Sequence, residues 1–283
     1  MAHCIVAEAE KILDREFKVL DKGFVRLVDY LGGDERIVQA ARVSYGAGTK
    51  TFRQDRGLIH YLLKNDHTSP FEQVVLTFHA KMPIFVARQW IRHRTARINE
   101  ISGRYSVMKD EFYLPGEKDV VFQSADNKQG RSDEPVPARL RSKVRKMFRD
   151  GQKKLYSQYR SLLDDNIARE LARINLPLSL YTEWYWQIDL HNLFHFLRQR
   201  LDPHAQKEIR VYAEVMAGIV SAVCPIAYEA FEEHSVKSLR LSAEESHMVR
   251  ELLKGKPVTA GEKAVRQLTG KLGFTPEKLE TAR

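Results

Sequence analysis

The chain has 283 residues, of which 43% are hydrophobic and 29% charged, a composition typical of a globular protein and not of a disordered chain. Its formal net charge of +9 predicts anionic partners, such as nucleic acid, an anionic membrane or phosphorylated small molecules. No run approaches the ~20 apolar residues of a membrane span, and two cysteines are too few for a disulfide framework. We therefore expect a cytoplasmic protein without a membrane partner.

Helical patterns dominate the chain, with isolated strands between them. The predicted helices are a short one within 1–20, 34–45 up to a break at 46–48, 52–65, 83–91, 138–163, a shorter one ending at 174, 190–197, 204–222, and two tail helices behind the capping-box pairs Ser242/Glu245 and Thr259/Glu262. The predicted strands are 71–81, a strand starting within 104–107, and 181–188, with a turn at 67–70 and a polar surface excursion at 115–136. This mixture predicts an α+β fold.

The familiar glycine-rich phosphate motifs have no complete match in the chain. A stretch ending in Lys50-Thr51 resembles a phosphate loop, but Ser44 and Thr49 occupy both glycine places of that motif. No GxGxxG follows a predicted strand, so a dinucleotide site of the Rossmann type has no support.

A histidine pair lies on the predicted helix 190–197. His191 and His195 are four residues apart, which is the spacing of two metal ligands on one helix face. Asn192 occupies the place where a zinc peptidase has glutamate, and the spacing forces no third ligand. A hydrogen-bonded pair is the other interpretation from the residues alone, and we predict no metal.

Arginines cluster between residues 88 and 104: Arg88, Arg92, Arg94, Arg97 and Arg104. Guanidinium groups bind phosphate through forked, charge-assisted hydrogen bonds. A solvated helix end would explain one or two of these arginines, but not the apolar residues between them or the polar run that follows. The cluster therefore predicts an anion site. A second polar region, 173–177 with 198–206, is a weaker signal that leaves a ligand site and a solvated helix end equally open.

A family signature lies within the arginine cluster: Arg92-His93-Arg94 is followed by seven residues and then by Ser102. This is the RHR-x7-S signature of the flavin-dependent thymidylate synthases. The chain resembles that family over about residues 17–234. Other matching stretches are 21–25, 41–44, 67–72, 89–90, 172–177 and 201–206. The resemblance implies a mainly antiparallel sheet flanked by long helices. It also implies a catalytic domain at 17–235, between an N-terminal extension at 1–16 and a C-terminal helical extension at 236–283.

The resemblance further implies an activity. The family transfers a methylene group from methylenetetrahydrofolate to carbon 5 of dUMP, and FAD reduced by NADPH supplies the hydride. Its members are homotetramers whose sites are shared between subunits. The absence of a cysteine near the arginine motif agrees with this flavin route, because the classical thymidylate synthases use a cysteine nucleophile.

The matching motifs imply the site residues by position. The implied flavin contacts are Ser69, Arg92, His93, Arg94, Glu100, Asp189, Leu190, His191 and His195, with Asn192 beside them. The implied dUMP contacts are Gln89, Trp90, Ile91, Arg92, Glu100, Ile101, Ser102, Gly103, Arg104, Arg173 and Arg200. Arg200 is implied to be catalytic, since a fixed cation stabilises negative charge that develops on the uracil ring. Ser102 has no histidine at a spacing that implies a nucleophile pair, so we expect it to bind substrate.

Two other classes of protein remain as alternatives. A nucleic-acid-binding module would use the net charge and the basic helix around 139–154. A metal-dependent hydrolase would use His191 and His195. The RHR-x7-S signature is specific, so we favour the synthase over both and expect no nucleic-acid partner.

Overall fold

A computed structural model describes residues 4–43, 52–125, 130–132 and 134–282. The predicted break at 46–48 and the incomplete phosphate loop lie outside these residues. The chain forms two compact units, Met1–Phe231 and Glu232–Arg283. The domain boundaries predicted after residues 16 and 235 stay predictions.

The first unit alternates helices with strands. Its helices are α1 (Ala7–Glu10), α2 (Asp34–Arg42), α3 (Phe52–Lys64), α4 (Ile84–Trp90), α5 (Ala138–Asp164), α6 (Arg169–Ala172), α7 (Leu190–Arg200), α8 (Lys207–Val223) and α9 (Pro225–Phe231). Its strands are β1 (Phe17–Val19), β2 (Gly23–Leu31), β3 (Val75–Pro83), β4 (Arg97–Glu100) and β5 (Tyr181–Asp189), and single-turn 3-10 helices cover Ser69–Gln73, Glu117–Asp119 and Arg173–Asn175. None of the helices among the described residues is both long and apolar enough to cross a membrane.

The strands form one antiparallel sheet in the order β1-β2-β3-β5-β4. Strands β3 and β5 pair along their whole length, from Val75 opposite Asp189 to Pro83 opposite Tyr181. Helix α4 therefore leaves β3 at the end of the sheet where β5 begins, and α7 leaves β5 at the opposite end. The predicted α+β fold with a mainly antiparallel sheet is confirmed.

Several local predictions were wrong. Strand β2 was missed, and its pairing with β3 contains an irregularity between Leu27 and Asp29 that interrupts simple alternation. The predicted helical extension within 1–20 ends early, because β1 begins at Phe17. The predicted strand starting within 104–107 is a turn, and the edge strand is β4 instead. Of the four residues of β4 only Ile98 is partly buried, so the sequence of β4 lacks the alternation of apolar and polar residues that predicts a strand.

A cluster of aromatic rings joins α4, β5, α7 and α8. Trp90 is fully buried, and its ring lies 5.5 Å from Trp184, 5.3 Å from Trp186, 5.2 Å from Phe196 and 5.8 Å from Tyr212, measured between ring centroids. Such aromatic pairs contribute about 0.5–1.5 kcal/mol each beyond the area that they bury. The cluster therefore fixes the end of α4 firmly against the sheet and α7.

The second unit contains a π-helical turn at Glu232–Val236, α10 (Ala243–Leu253), α11 (Glu262–Leu272) and the parallel strands β6 (Val258–Ala260) and β7 (Leu279–Thr281). Its core is formed by Met248, Leu268 and Leu279. The capping box of Ser242 and Glu245 is confirmed. The one predicted at Thr259 is wrong, because Thr259 lies in β6 and Gly261 precedes α11.

Candidate functional site

The signature residues follow directly after α4. Pro83 precedes the helix with a backbone φ of −63°, the value that a proline ring imposes. At the other end, the buried Trp90 anchors the chain just before the signature. Arg92 and Arg94 have exposed side chains, whereas His93 between them is buried. The anchored helix end therefore holds one imidazole inside and two guanidinium groups toward solvent.

Helix α7 supplies the second half of the site. Its predicted cap is confirmed, because the Asp189 carboxylate accepts hydrogen bonds from the backbone N–H of Asn192 at 2.9 Å and from its Nδ2 at 2.8 Å. The buried side of the helix consists of Leu190, Leu193, Phe194, Phe196 and Leu197. His191, His195 and Gln199 recur every four residues and therefore share the remaining face.

The end of α4 and the free face of α7 enclose one pocket of about 460 Å³. Its lining residues are Arg92, His93, Arg94, Thr95, Ile188, His191, Asn192, His195, Gln199 and Arg200. The ring of His93 meets that of His195 at 5.8 Å and that of Phe196 at 4.9 Å, both edge to face. The structure therefore brings together the signature, the histidine pair and the predicted catalytic arginine.

Arg200 is held by two acceptors from the α4 end. Its Nε donates to His93 Nε2 at 3.1 Å, and its Nη2 donates to the backbone carbonyl of Gln89 at 3.2 Å. Burial lowers the pKa of Arg200, but a guanidinium group stays protonated in proteins. The fork of Arg200 is therefore fixed while its positive charge is kept.

The two histidines nearest Arg200 favour the neutral form. Burial, followed by the positive charge of Arg200 and the neighbouring His195, lowers the pKa of His93 to about 4. Burial also lowers the pKa of His195, with Arg198 and His191 adding to the effect. Because His93 Nε2 accepts from Arg200, the neutral ring carries its proton on Nδ1.

The second group of predicted contacts lies in the turn after β4. A Cβ atom on Gly103 would lie 3.0 Å from Arg173 Cδ and 3.0 Å from Met108 Sδ, so a larger residue there would push these side chains away from the turn. The hydroxyl of Ser102 accepts from the backbone N–H of Arg104 at 3.3 Å. Arg104 forms an exposed ion pair with Glu170 at 3.3 Å. Arg173 comes from a separate 3-10 helix and lies against the same turn, so two arginines are close together there.

The remaining predicted contacts differ in how exposed they are and in whether they already have a hydrogen-bond partner. Glu100 accepts from the Thr182 hydroxyl at 2.5 Å, and Ser69 lies exposed at the start of a turn whose Phe71 packs on Phe194 of α7. Ile91 and Ile101 are exposed.

The side chains of Trp90 and Leu190 are fully buried in the core. Within the described chain both side chains pack in the core, and a ligand contact from either residue stays a prediction. The pocket is also lined by Thr95, Ile188 and Gln199, which were not among the contacts predicted from the sequence. Gln199 could have been found, since it continues the four-residue spacing of His191 and His195.

Comparison with known proteins agrees with this arrangement. Residues 26–226 match the family described as thymidylate synthase complementing protein. The flavin-dependent thymidylate synthase of Treponema denticola is 66% identical over 244 residues, which cover 86% of this chain and 92% of that protein. The protein of the same name from Treponema pallidum is 61% identical, over 90% of this chain and 84% of its own.

A solved structure gives the same fold. The UMP/dUMP methylase PolB of Streptomyces cacaoi, bound with 5-Br dUMP, has a TM-score of 0.70 and 31% identity, and the match covers 78% of this chain and 99% of that one. The same methylase bound with 5-Br UMP has a TM-score of 0.69. The family match extends over most of the first unit, from within β2 to the start of α9. The chain therefore belongs to the thymidylate synthase complementing protein family, which is the family of the flavin-dependent thymidylate synthases.

Proposed function

We propose that this chain is a flavin-dependent thymidylate synthase that converts dUMP to dTMP by reductive methylation. The observation that carries the proposal is the pocket in which the RHR signature faces Arg200, with Arg200 held by His93 and by the Gln89 carbonyl. The relatives named flavin-dependent thymidylate synthase and the dUMP-analogue complex of the Streptomyces methylase support the same activity.

The donor set of the pocket fits a flavin dinucleotide. Two phosphate groups need several cationic or N–H donors, and Arg92 and Arg94 provide exposed guanidinium groups at the pocket wall. His93, His191 and His195 add ring nitrogens and flat ring surfaces, which suit an aromatic cofactor better than further charge. These residues, with Asp189, Ser69 and Glu100, are the proposed flavin contacts, and FAD bound there would supply the hydride.

The dUMP contacts are proposed to come from both groups of residues. Arg173, with Ser102 to Arg104, would hold the phosphate, because Arg173 and the turn already lie against each other. Gln89, Ile91 and Arg92 would lie along the nucleotide. Arg200 would face the uracil ring and stabilise the negative charge that develops there when carbon 5 is activated. Because His93 and the Gln89 carbonyl fix Arg200 beforehand, little reorganisation accompanies that charge development.

The proposal includes the co-substrates and the assembly. Methylenetetrahydrofolate would donate the one-carbon group and NADPH would reduce the flavin. A homotetramer with shared sites would bring the turn of one subunit, with its Arg173, to the pocket of another. The two cysteines, Cys4 and Cys224, are free thiols, which supports a reducing, cytoplasmic location.

Product analysis tests the proposal. Purified protein loaded with FAD is incubated anaerobically with dUMP, methylenetetrahydrofolate and NADPH, and each component is left out in turn. We expect dTMP only in the complete mixture, and UMP in place of dUMP separates a thymidylate synthase from a UMP methylase. Absence of dTMP from folded, FAD-loaded protein would refute the proposal, and metal analysis of the same sample tests the hydrolase alternative.

A further inference from the structure

A buried carboxylate lies next to the proposed dUMP contacts without belonging to them. Glu208, in the first turn of α8, is only 3% exposed. Both of its oxygens accept from Arg131 Nη2, at 2.6 and 2.7 Å, and it also accepts from the Tyr113 hydroxyl at 3.1 Å and from Gln206 Nε2 at 2.8 Å. Burial opposes ionisation, but the hydrogen bonds from Arg131 and Gln206 outweigh it and lower the pKa of Glu208. Glu208 is therefore a charged acceptor at neutral pH.

The hydrogen bonds continue from Glu208 to the site. Gln206 donates its amide N–H to Glu208, and its amide oxygen accepts from Gln89 Nε2. The backbone carbonyl of Gln89 accepts in turn from Arg200. An ionised carboxylate accepts hydrogen bonds but cannot donate them, so Glu208 decides which end of the Gln206 amide faces Gln89.

The cation that balances Glu208 comes from the surface excursion at 115–136. Arg131 is presented by a short antiparallel contact, in which Ser132 N–H donates to the Phe122 carbonyl at 2.9 Å and Gln123 pairs with Arg131. The excursion thereby reaches a group next to the proposed site, although its sequence gave no sign of this. An ion pair that served only stability would need no contacts beyond Glu208 and Arg131. Here Glu208 is also linked by hydrogen bonds through Gln206 to Gln89.

We propose that Glu208 is a positioning residue for dUMP binding: held by Arg131, it orients Gln206, which fixes Gln89 beside Arg200. The inference depends on the proposed function, since Gln89 and Arg200 are dUMP contacts only if that function holds. Glu208 acts through other residues and touches neither substrate nor flavin.

Two variants interrupt the hydrogen-bonded path from Glu208 through Gln206 to Gln89 at different points. Glu208→Gln keeps the shape but adds an amide N–H₂ that faces donors, and Gln206→Ala removes the link while leaving the Glu208–Arg131 pair in place. We expect each to weaken dUMP binding about 10-fold, the usual effect of losing one oriented hydrogen bond. The FAD content and the thermal midpoint of Gln206→Ala are expected to stay at the wild-type values, which keeps the test valid if Glu208→Gln folds poorly.

A matched control is available in the second unit. Glu245 is also buried, at 4% exposure, and accepts from Lys271 Nζ at 2.6 Å and from the Ser242 N–H at 2.6 Å. Glu245→Gln therefore removes a comparable charge without touching the path to Gln89. We expect it to leave the KM for dUMP unchanged.

The measurements are equilibrium binding of dUMP to the FAD-loaded proteins and the separate values of KM and kcat. If the two variants act on one path, the double variant binds dUMP about as weakly as each single variant, because their effects do not add. Wild-type dUMP affinity in Gln206→Ala, or additive losses in the double variant, would overturn the inference. Failure of the wild type to make dTMP would instead overturn the proposed function, so the two failures are distinguishable.

Discussion

Arg200 Nε donates a hydrogen bond to His93 Nε2 at 3.1 Å, across 107 residues of sequence. The bond joins the end of α7 to the middle residue of the RHR signature. It requires an unprotonated His93 Nε2, because a guanidinium group can only donate. The same contact therefore fixes the direction of Arg200 and the protonation state of His93.

His93 is predicted to stay neutral well below the usual histidine range. Its pKa is about 4 in the folded protein, against about 6.5 in an unfolded chain. The unfolded state then binds more protons between these values, so His93 lowers the stability progressively as the pH falls from about 6.5 toward 4. The Hε1 chemical shift of selectively labelled histidine measures the pKa, with the His93→Gln variant assigning the signal. A midpoint near 6.5 would contradict the account.

Arg200→Lys is predicted to bind FAD normally but to lose about 100-fold in kcat, the usual effect of removing one fixed donor from a developing anion. Lysine keeps the charge, but it lacks the planar fork that reaches His93 and the Gln89 carbonyl together. Steady-state kinetics and flavin absorbance measure the two effects. Wild-type turnover by this variant would show that charge alone suffices.

Gly103→Ala is predicted to weaken dUMP binding on the order of 10-fold, because the new methyl group displaces Arg173. Calorimetric titration with dUMP measures the change. Gly57→Ala in α3 is the control, since a Cβ there meets nothing within 4 Å. It is expected to leave dUMP binding unchanged and to stabilise the protein by about 0.5–1 kcal/mol. Equal dUMP affinities for both variants would argue against a role for the Gly103 turn.

Asp189→Ala is predicted to destabilise the protein by about 1 kcal/mol, because it removes the cap from the helix that carries His191 and His195. It is also predicted to reduce FAD affinity, because the same substitution removes a proposed flavin contact. Ser242→Ala removes a comparable cap from the second unit, and it is expected to leave FAD affinity unchanged. Flavin fluorescence on titration with FAD compares the two. Unchanged FAD affinity in Asp189→Ala would contradict the assignment of Asp189 as a flavin contact and would leave it only the role of a helix cap.

The sequence predicted best what is local or contiguous. The RHR signature is a single stretch, and β5 is a continuous strand rich in aromatic residues. The cap at Asp189 binds a backbone N–H only three residues further along the chain. All three features were therefore recognised. Strand β4 was missed because an exposed edge strand leaves little burial pattern. The second capping box failed because Thr259 pairs with Glu280 in a short parallel sheet, a tertiary contact that overrides the local motif.

Contacts between side chains that are far apart in the sequence could not be predicted, because many residues could serve as partner. Glu208 and Arg131 are 77 residues apart, and any of the chain's many carboxylates could have balanced that arginine. Arg200 was placed through the family resemblance, but its contact with His93 required the fold. The full burial of the Trp90 and Leu190 side chains could not be predicted from their position in the motifs either.

The most direct test of the central claim is a single turnover of reduced enzyme. Wild type and Arg200→Ala are loaded with FAD, reduced anaerobically and mixed with dUMP and methylenetetrahydrofolate, while flavin oxidation and dTMP are followed together. We predict that wild type oxidises its flavin as dTMP forms, and that Arg200→Ala keeps its flavin bound but reacts at least about 100-fold more slowly. Equal rates in the two proteins would contradict the role of Arg200, and flavin oxidation without dTMP would contradict the assigned reaction.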